Sequence, residues 1–123
     1  MSLALALQSR LGRAAAGDAA FRRMIEQSVD AVLVHAYGEV LYANAACLRL
    51  LLAQRDNEIV GRTIWDIVDP RDHELLRGRL ARIGTGESLP FVELRWVRLD
   101  GVAVAIDAAG SPVEFAGRAA VQV

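Results

Sequence analysis

The sequence predicts an α+β domain in which short helices connect the strands of an antiparallel sheet. Two observations predict this fold class. A strand over residues 40–43 ends on Asn44, whose side chain is placed to cap the helix that follows. Asp100-Gly101 lies between two runs rich in β-forming residues, a pattern typical of a β-hairpin. Neither signal is a catalytic motif.

Length, composition and charge indicate one globular domain. The chain has 123 residues, 54% of them apolar, and a formal net charge of −1, so a core can form without metals or disulfides. The near-zero net charge argues against nucleic-acid binding. No apolar run approaches the length of a membrane helix, so no membrane contact is predicted for this segment. All fourteen Lys and Arg positions are arginine, which excludes lysine-based chemistry. The single cysteine, Cys47, favours a reducing, cytoplasmic setting.

Two helices are predicted before the first strand. Leucines recur at every fourth position from Leu3 to Leu11 and predict an amphipathic helix over residues 1–17. Asp18 is expected to cap a second helix that runs through about residue 27. Such a helical leader either pairs with a second copy of the chain or folds back on the sheet, and both alternatives stay open. The expected buried side of the second helix contains Phe21, Met24, Ile25 and Val29.

The rest of the chain alternates between strand and helix signals. Strands are predicted over 31–35 and 40–43, and a helix follows from Asn44 to about Leu52. One apolar helical turn lies over 64–68. A longer helix then begins at Pro70, because proline suits the first turn and Asp69 can cap it; it ends near Gly84. From Phe91 the apolar period changes to two. This pattern predicts three further strands, over 91–97, from 102 to beyond Pro112, and over 118–123.

Two features of the last strands carry further expectations. Pro112 lies late in the fourth strand, which suggests an edge position or a bulge, because proline cannot donate to a ladder. The chain ends within the fifth apolar strand at Val123, which we interpret as truncation before a further domain.

Seven short segments occur in one order over most of the chain. They are Phe21-Arg22-x-Met24-Ile25-Glu26-x-Ser28-x-Asp30, Gly38-x-Val40-x-Tyr42-x-Asn44-x-Ala46, Ile59-Val60-Gly61-Arg62, Val68-Asp69-Pro70-x-Asp72, Glu93-x-Arg95, Leu99-Asp100-Gly101 and Gly117-Arg118-x-Ala120-Val121-Gln122-Val123.

With these segments in register, the chain resembles a PAS domain from about Phe21 to Val123. The resemblance implies a five-stranded antiparallel sheet with short helices on one face, formed by residues 18–123, preceded by the N-terminal helix over 1–17. It also implies a sensory or protein-interaction module of a bacterial signalling protein. The output domain of the same polypeptide would be a histidine kinase, a cyclic-dinucleotide enzyme or a transcription regulator.

PAS domains hold ligands between the long helix and the sheet, and the resemblance therefore suggests where a ligand would lie. Two functions stay open. One is a sensory module that binds a small ligand or signals through the geometry of a homodimer paired by the N-terminal helix. The other is a structural homodimerisation module whose core is filled by its own side chains. The candidate cavity lining is Ile64, Trp65, Leu76, Leu80, Trp96 and Val104.

A heme or flavin sensor is a third alternative, but no cofactor is predicted. In the flavin-binding branch, the reactive cysteine falls at the position of Ile64, so Cys47 is interpreted as a small buried hydrophobe. In heme-binding relatives, the ligand falls near Leu75 or Leu76, so His73 is interpreted as solvent-exposed. His35 is interpreted as a polar residue at a strand end.

No catalytic or metal site is predicted, and the domain itself is not expected to be an enzyme. The carboxylates of Asp69, Asp72 and Glu74 lie in the first turn of a helix, where they oppose its dipole. Nucleophile elbows and phosphate-binding loops are absent from the sequence. Arg79 can reach an anionic ligand group, yet with its neighbours Arg77 and Arg82 it is interpreted as part of an exposed basic face.

Overall fold

The computed structural model describes residues 18–123, which form four α-helices, two 3₁₀ turns and five strands. The predicted helix over residues 1–17, with its dimerisation role, lies outside the described residues. The helices are α1 (Asp18–Glu26), α2 (Ala45–Leu50), α3 (Ile64–Ile67) and α4 (His73–Gly84). The strands are β1 (Leu33–Ala36), β2 (Glu39–Ala43), β3 (Leu89–Val97), β4 (Ala103–Phe115) and β5 (Arg118–Gln122).

The five strands form one sheet in the order β2–β1–β5–β4–β3, and every neighbouring pair is antiparallel. This confirms the predicted α+β class and the five-stranded antiparallel sheet. The chain leaves the sheet at one edge, after β2, and re-enters it at the other edge with β3. The helices α2 to α4 therefore span the sheet, and β5 returns to its centre between β1 and β4.

The helices α2, α3 and α4 cover one face of the sheet, and the larger hydrophobic core lies beneath them. Cys47 is fully buried in this core, and burial raises the pKa of its thiol to about 12. The interpretation of Cys47 as a buried hydrophobe is therefore confirmed. Other buried members of the core are Leu33, Val40, Leu51, Ile59, Ile67 and Leu94.

The helix α1 covers the opposite face of the sheet. Phe21 and Ile25 are buried there, and the Phe21 ring packs against Phe115 with ring centroids 5.4 Å apart. Of the two alternatives for the leader, this helix folds back on its own sheet. The prediction that Val29 is buried is wrong, because α1 ends at Glu26 and Val29 lies beyond its last turn with 79% of its surface exposed.

The predicted hairpin between β3 and β4 is confirmed. The two strands pair from Val97 opposite Ala103 to Leu89 opposite Gly110. Gly101 has a φ of +85° in the connecting turn, which glycine adopts without strain. Pro112 lies beyond this ladder, so only β5 pairs with β4 at that point, and its missing N–H interrupts no bond to β3.

Candidate functional site

Asn44 holds together the junction from which the core of the domain is built. Its backbone is extended, and its Oδ1 accepts a hydrogen bond from the Cys47 N–H at 2.9 Å, which confirms the predicted N-cap of α2. The same oxygen accepts from the Val32 N–H at 2.9 Å. Its Nδ2 donates to the carbonyl oxygens of Ile25, at 2.7 Å, and Asp30, at 2.9 Å. One side chain thus connects α1, the approach to β1 and the start of α2.

Two carboxylates position the start of α4. Asp69 accepts from the Arg71 N–H and caps the 3₁₀ turn Pro70–Asp72, whereas the long helix that was predicted to begin at Pro70 begins at His73. The pairing of Asp69 with the Arg71 guanidinium lowers the pKa of Asp69 to about 2. Asp72 accepts from the backbone N–H of Arg95 at 2.8 Å and from its guanidinium at 2.8 and 3.0 Å. These bonds lower the pKa of Asp72 and tie α4 to β3. Both carboxylates therefore have structural roles.

A cavity of about 600 Å³ lies between α4 and the sheet, and we call it the helix–sheet cavity. Leu80 and Ile83 of α4 cover it, while the central strands form its floor. Trp65 and the turn between β1 and β2 form one side of the cavity. It is lined by His35, Ala36, Tyr37, Gly38, Trp65, Leu80, Ile83, Gly84, Pro112, Val113, Ala119, Ala120 and Val121.

His35 is the buried polar side chain of this lining. Its exposed fraction is 2%, and neither ring nitrogen has a hydrogen-bond partner among residues 18–123. Burial lowers the pKa of His35 to about 4, so the ring is neutral at pH 7 and offers one donor and one acceptor. The interpretation of His35 as a strand-end residue is wrong, because β1 continues to Ala36 and β5 pairs beside His35 through Val121.

Trp65 and His73 pack together near the start of α4. Their ring centroids are 5.1 Å apart in an edge-on arrangement, and the Nε2 of His73 donates to the Val68 carbonyl oxygen at 2.8 Å. The prediction that His73 is solvent-exposed is wrong, because this pairing leaves it half-buried. Gly38, with a φ of +85°, faces the indole Nε1 of Trp65, and a Cβ there would lie 3.4 Å from that atom.

A second, smaller cavity of about 150 Å³ lies where β5 ends between β1 and β4, and we call it the strand-end cavity. Trp96 and Gln122 line it. The Trp96 Nε1 and the Gln122 Oε1 are both buried without a hydrogen-bond partner in the described part of the chain.

The six residues predicted to line one cavity are distributed over four places. Trp65 and Leu80 line the helix–sheet cavity, whereas Trp96 lines the strand-end cavity. Ile64 and Leu76 are buried in the core. Val104 pairs with Trp96 near the hairpin end of β4 and lines neither cavity.

The arginines of α4 have partners within the domain. Arg79 is half-buried, and its Nη2 donates to the carbonyl oxygens of Pro90 at 2.8 Å and Ala108 at 3.2 Å. Its interpretation as part of an exposed face is therefore wrong. Arg77 pairs with Glu74 and lies over the Trp65 ring, 5.4 Å from its centroid. Farther along the helix, the exposed guanidinium of Arg82 pairs with the carboxylate of Glu87.

Metal-binding and membrane-spanning features are not found between residues 18 and 123. That part of the chain has no group of three or more His, Cys, Asp or Glu side chains that could hold a metal ion. It also has no helix with the length and apolar character that crossing a membrane requires.

Solved structures of other proteins share this fold. The PAS domain of an HTR-like protein from Haloarcula marismortui superposes with a TM-score of 0.68 at 21% identity, covering 85% of this chain and 90% of that one. The PAS domain of nitrogen regulation protein NR(II) from Vibrio parahaemolyticus gives a TM-score of 0.63 at 21% identity, with 81% and 90% covered.

Sequence comparison gives the same family. The chain is 25% identical over 95 residues to sporulation kinase A from Bacillus subtilis (strain 168). The match covers 77% of this chain but only 16% of the kinase, so the chain spans about a sixth of that relative's length. A sequence profile described as "PAS domain" matches residues 19–84, more than half of the chain. The chain therefore belongs to the PAS domain family, the sensory domains of signalling proteins.

Proposed function

We propose that this domain is the input module of a larger signalling protein and that it binds a small molecule in the helix–sheet cavity. The observation that carries the proposal is the cavity itself, which has a volume of about 600 Å³ and a mainly apolar lining between α4 and the sheet. Both the volume and the apolar lining are typical of small-molecule sites.

The placement of the cavity suggests how occupancy is transmitted. A ligand there contacts α4 on one side and the central strands β1, β5 and β4 on the other. It shifts the domain between two states only if it binds them with different affinity. The signal then passes to an output domain of the same polypeptide. The kinase relative supports a kinase in that role, and the buried single cysteine supports a cytoplasmic location.

We propose that the ligand is neither heme nor flavin. The Nε2 of His73 already donates a hydrogen bond to the Val68 carbonyl oxygen, and the Cys47 thiol of α2 is buried in the core. The described lining of the helix–sheet cavity has no cationic side chain to pair with heme carboxylates or a flavin phosphate. The purified protein should therefore show no Soret or flavin absorption band. A Soret band that is lost in His35→Phe would instead assign heme to this cavity.

Native mass spectrometry of the protein purified from cells tests the ligand. We expect a bound mass that denaturation releases for identification. Val121→Phe, which fills the floor beside His35, should lose this mass, whereas Trp96→Phe at the strand-end cavity should retain it. Circular dichroism checks that both variants remain folded. A protein that carries and releases no small molecule would contradict the proposal and favour a structural module with a filled core.

Homodimer formation is a second proposed function, supported by the leucine spacing from Leu3 to Leu11. The two proposals are compatible, since a ligand can bias the geometry of a dimer. If the domain only dimerises, Val121→Phe will leave signalling unchanged, and removal of residues 1–17 will abolish it.

A further inference from the structure

The helix–sheet cavity is open at one end of the sheet, the end that carries the turns between β1 and β2 and between β4 and β5. Strand β1 pairs with β5 only as far as His35 opposite Val121, and beyond this pair the two strands part and line the cavity instead. Tyr37 of the first turn is 95% exposed at the opening. Trp65 and Leu80 are only half-buried, although they pack against the core. An apolar opening of this kind is typical of a binding surface.

The N-terminal segment, residues 1–17, joins the domain at the same end of the sheet. It immediately precedes α1, whose first turn places Phe21 against Phe115, the last residue of β4. The last turn of α1 lies at the opposite end of the sheet, where the Ile25 carbonyl oxygen accepts a hydrogen bond from Asn44. As the predicted helix, the segment would span about 25 Å, which is enough to pass round the end of the sheet from one face to the other.

The segment and the cavity match in their apolar character. The described lining of the cavity contains no Asp, Glu, Lys or Arg, and most of its side chains are apolar. In the segment, Leu3, Leu7 and Leu11 recur at helical spacing and form what we call the leucine stripe. Burying this stripe in the opening is favourable and requires no polar partner.

The charges around the opening complement those of the segment. Glu114 shares the cavity side of β4 with Pro112 of the lining, and Glu39 follows the turn at the opening. Both carboxylates are exposed, and neither forms an ion pair in the described part of the chain. The charged side chains of the segment are Arg10 and Arg13, which on a helix flank the leucine stripe. Electrostatic attraction therefore favours this segment at this opening.

We propose that the N-terminal segment occupies the opening of its own helix–sheet cavity and that a ligand entering the cavity displaces it. This inference rests on the proposed ligand-binding function and adds the regulation of that site. In the empty domain, the leucine stripe packs against Trp65 and Leu80, and Arg10 pairs with Glu114. Once displaced, the same stripe is free to pair with a second copy, so that occupancy of the cavity controls association.

Competition with a probe tests the displacement in the full chain. The probe is N-phenyl-1-naphthylamine, an uncharged aromatic compound whose fluorescence rises on transfer from water to an apolar site. Leu7→Glu should tighten probe binding about tenfold, because a charge on the stripe removes the competing segment. Ser9→Glu, on the opposite side of the predicted helix, is the control and should leave the affinity unchanged. Equal affinity of the unsubstituted chain and Leu7→Glu would overturn the inference.

A charge reversal tests the contact between the segment and the opening. Arg10→Glu and Glu114→Arg should each tighten probe binding about threefold, because each replaces an attraction with a repulsion. The double variant restores an attractive pair and should return the affinity to that of the unsubstituted chain. Additive effects of the two substitutions would refute the proposed docking.

A spin label shows which chain's segment lies at the opening, without any ligand. Ser9→Cys accepts a nitroxide at a single position, because Cys47 is buried. The label should broaden the ¹H–¹⁵N signals of Gly84 and Ala119 at the opening of the labelled chain. Mixed with a ¹⁵N-enriched chain that carries no nitroxide, it should leave the signals of that chain sharp. Broadening in the mixture would assign the opening to a second copy and refute the proposal, as would sharp signals in both samples.

Failure of this inference is distinguishable from failure of the proposed function. Native mass spectrometry that finds no small molecule would contradict ligand binding, while broadening within the labelled chain would still sustain the docking of the segment. A bound small molecule together with sharp signals in the labelled chain would sustain ligand binding and refute the docking.

Discussion

At the scale of single residues, Asn44 and His35 show opposite uses of a buried polar side chain. Asn44 is fully buried and makes four hydrogen bonds, so its burial is compensated. His35 is as deeply buried and makes none within residues 18–123. The first side chain therefore stabilises the fold, while the burial of the second is uncompensated and costs stability.

Asn44→Ala should lower the free energy of unfolding by about 3 kcal/mol. The substitution removes the α2 cap and leaves the N–H groups of Val32 and Cys47 and the carbonyls of Ile25 and Asp30 without their partner. Urea denaturation followed by circular dichroism measures the change.

Two further variants sharpen the Asn44 experiment. Asn44→Asp keeps the acceptor oxygen but replaces the donating Nδ2 with a second oxygen. That oxygen would face the carbonyl oxygens of Ile25 and Asp30, so the substitution should also destabilise the domain strongly. Asn57→Ala, in the exposed 3₁₀ turn Asp56–Glu58, is the control and should change stability by less than about 0.5 kcal/mol. Equal effects at Asn44 and Asn57 would contradict the structural role of the buried network.

His35 should make the protein less stable as the pH falls from about 6.5 to about 4. In this window the unfolded chain binds a proton that the buried ring, with a pKa of about 4, does not bind. Stability therefore rises with pH across the window, by about 2 kcal/mol between pH 5 and pH 7. Urea titrations at these two pH values measure the difference.

The assignment of this pH dependence to one ring is also testable. His35→Phe should remove most of the difference between pH 5 and pH 7. Trp65→Phe changes the same cavity without removing a titratable group, so it should keep the difference. An unchanged pH dependence in His35→Phe would show that the ring is not buried in its neutral form.

At the scale of elements, α4 is held at its start by the pairing of Asp72 with Arg95, and along its length by Arg79. It nevertheless contains Gly78 in its interior and is followed by Gly86, which has a φ of +100°. A Cβ added at either glycine would meet no atom within 4 Å. Only the backbone conformation distinguishes the two positions.

Alanine substitution at these two glycines should therefore have opposite effects. Gly78→Ala should raise the free energy of unfolding by about 1 kcal/mol, because alanine costs less backbone entropy in a helix. Gly86→Ala should lower it by about 1 kcal/mol, because an L-residue is strained at positive φ. Thermal unfolding of both variants gives the comparison. Changes of the same sign would contradict the conformations described for α4 and its end.

At the scale of the whole molecule, α1 closes one face of the sheet from within the same chain. Residues 1–17 are therefore not needed for Phe21 and Ile25 to cover that face. If residues 1–17 pair two copies, their removal should halve the mass measured by light scattering and leave the circular dichroism spectrum of the sheet intact.

Point variants provide the matched control for that deletion. Leu7→Glu places a charge on the leucine stripe and should dissociate the dimer, whereas Ser9→Glu, on the opposite side of the predicted helix, should not. An unchanged oligomeric state after deletion would refute the pairing role.

The elements of this domain were largely predictable because their signals are local. The Asn44 cap acts within three residues, the Asp69 cap within two, and the Gly101 turn within its own hairpin. Hydrophobic periodicity likewise needs only neighbouring positions. The order of these signals was sufficient to indicate the fold and the family.

The candidate site was less predictable because it depends on partners distant in sequence. Alternation along β1 places His35 on the same face as the buried Leu33, a signal that indicates burial but not the lack of a partner. Trp65 and Trp96 share an apolar character, yet one lies in α3 and the other in β3, and they line different cavities. Arg95 and Asp72 are 23 residues apart in sequence, and they pair because β3 packs beside the start of α4.

The sequence by itself determined the helices, strands, caps and turns, and through their order the family. The tertiary structure alone decided which polar groups are satisfied, because that depends on every element packed around them. β5 enters the centre of the sheet from the end of the chain, buries His35 beside Val121 and leaves it without a partner in the described domain. Local interactions specify the scaffold, whereas long-range packing creates the cavity and its unsatisfied imidazole.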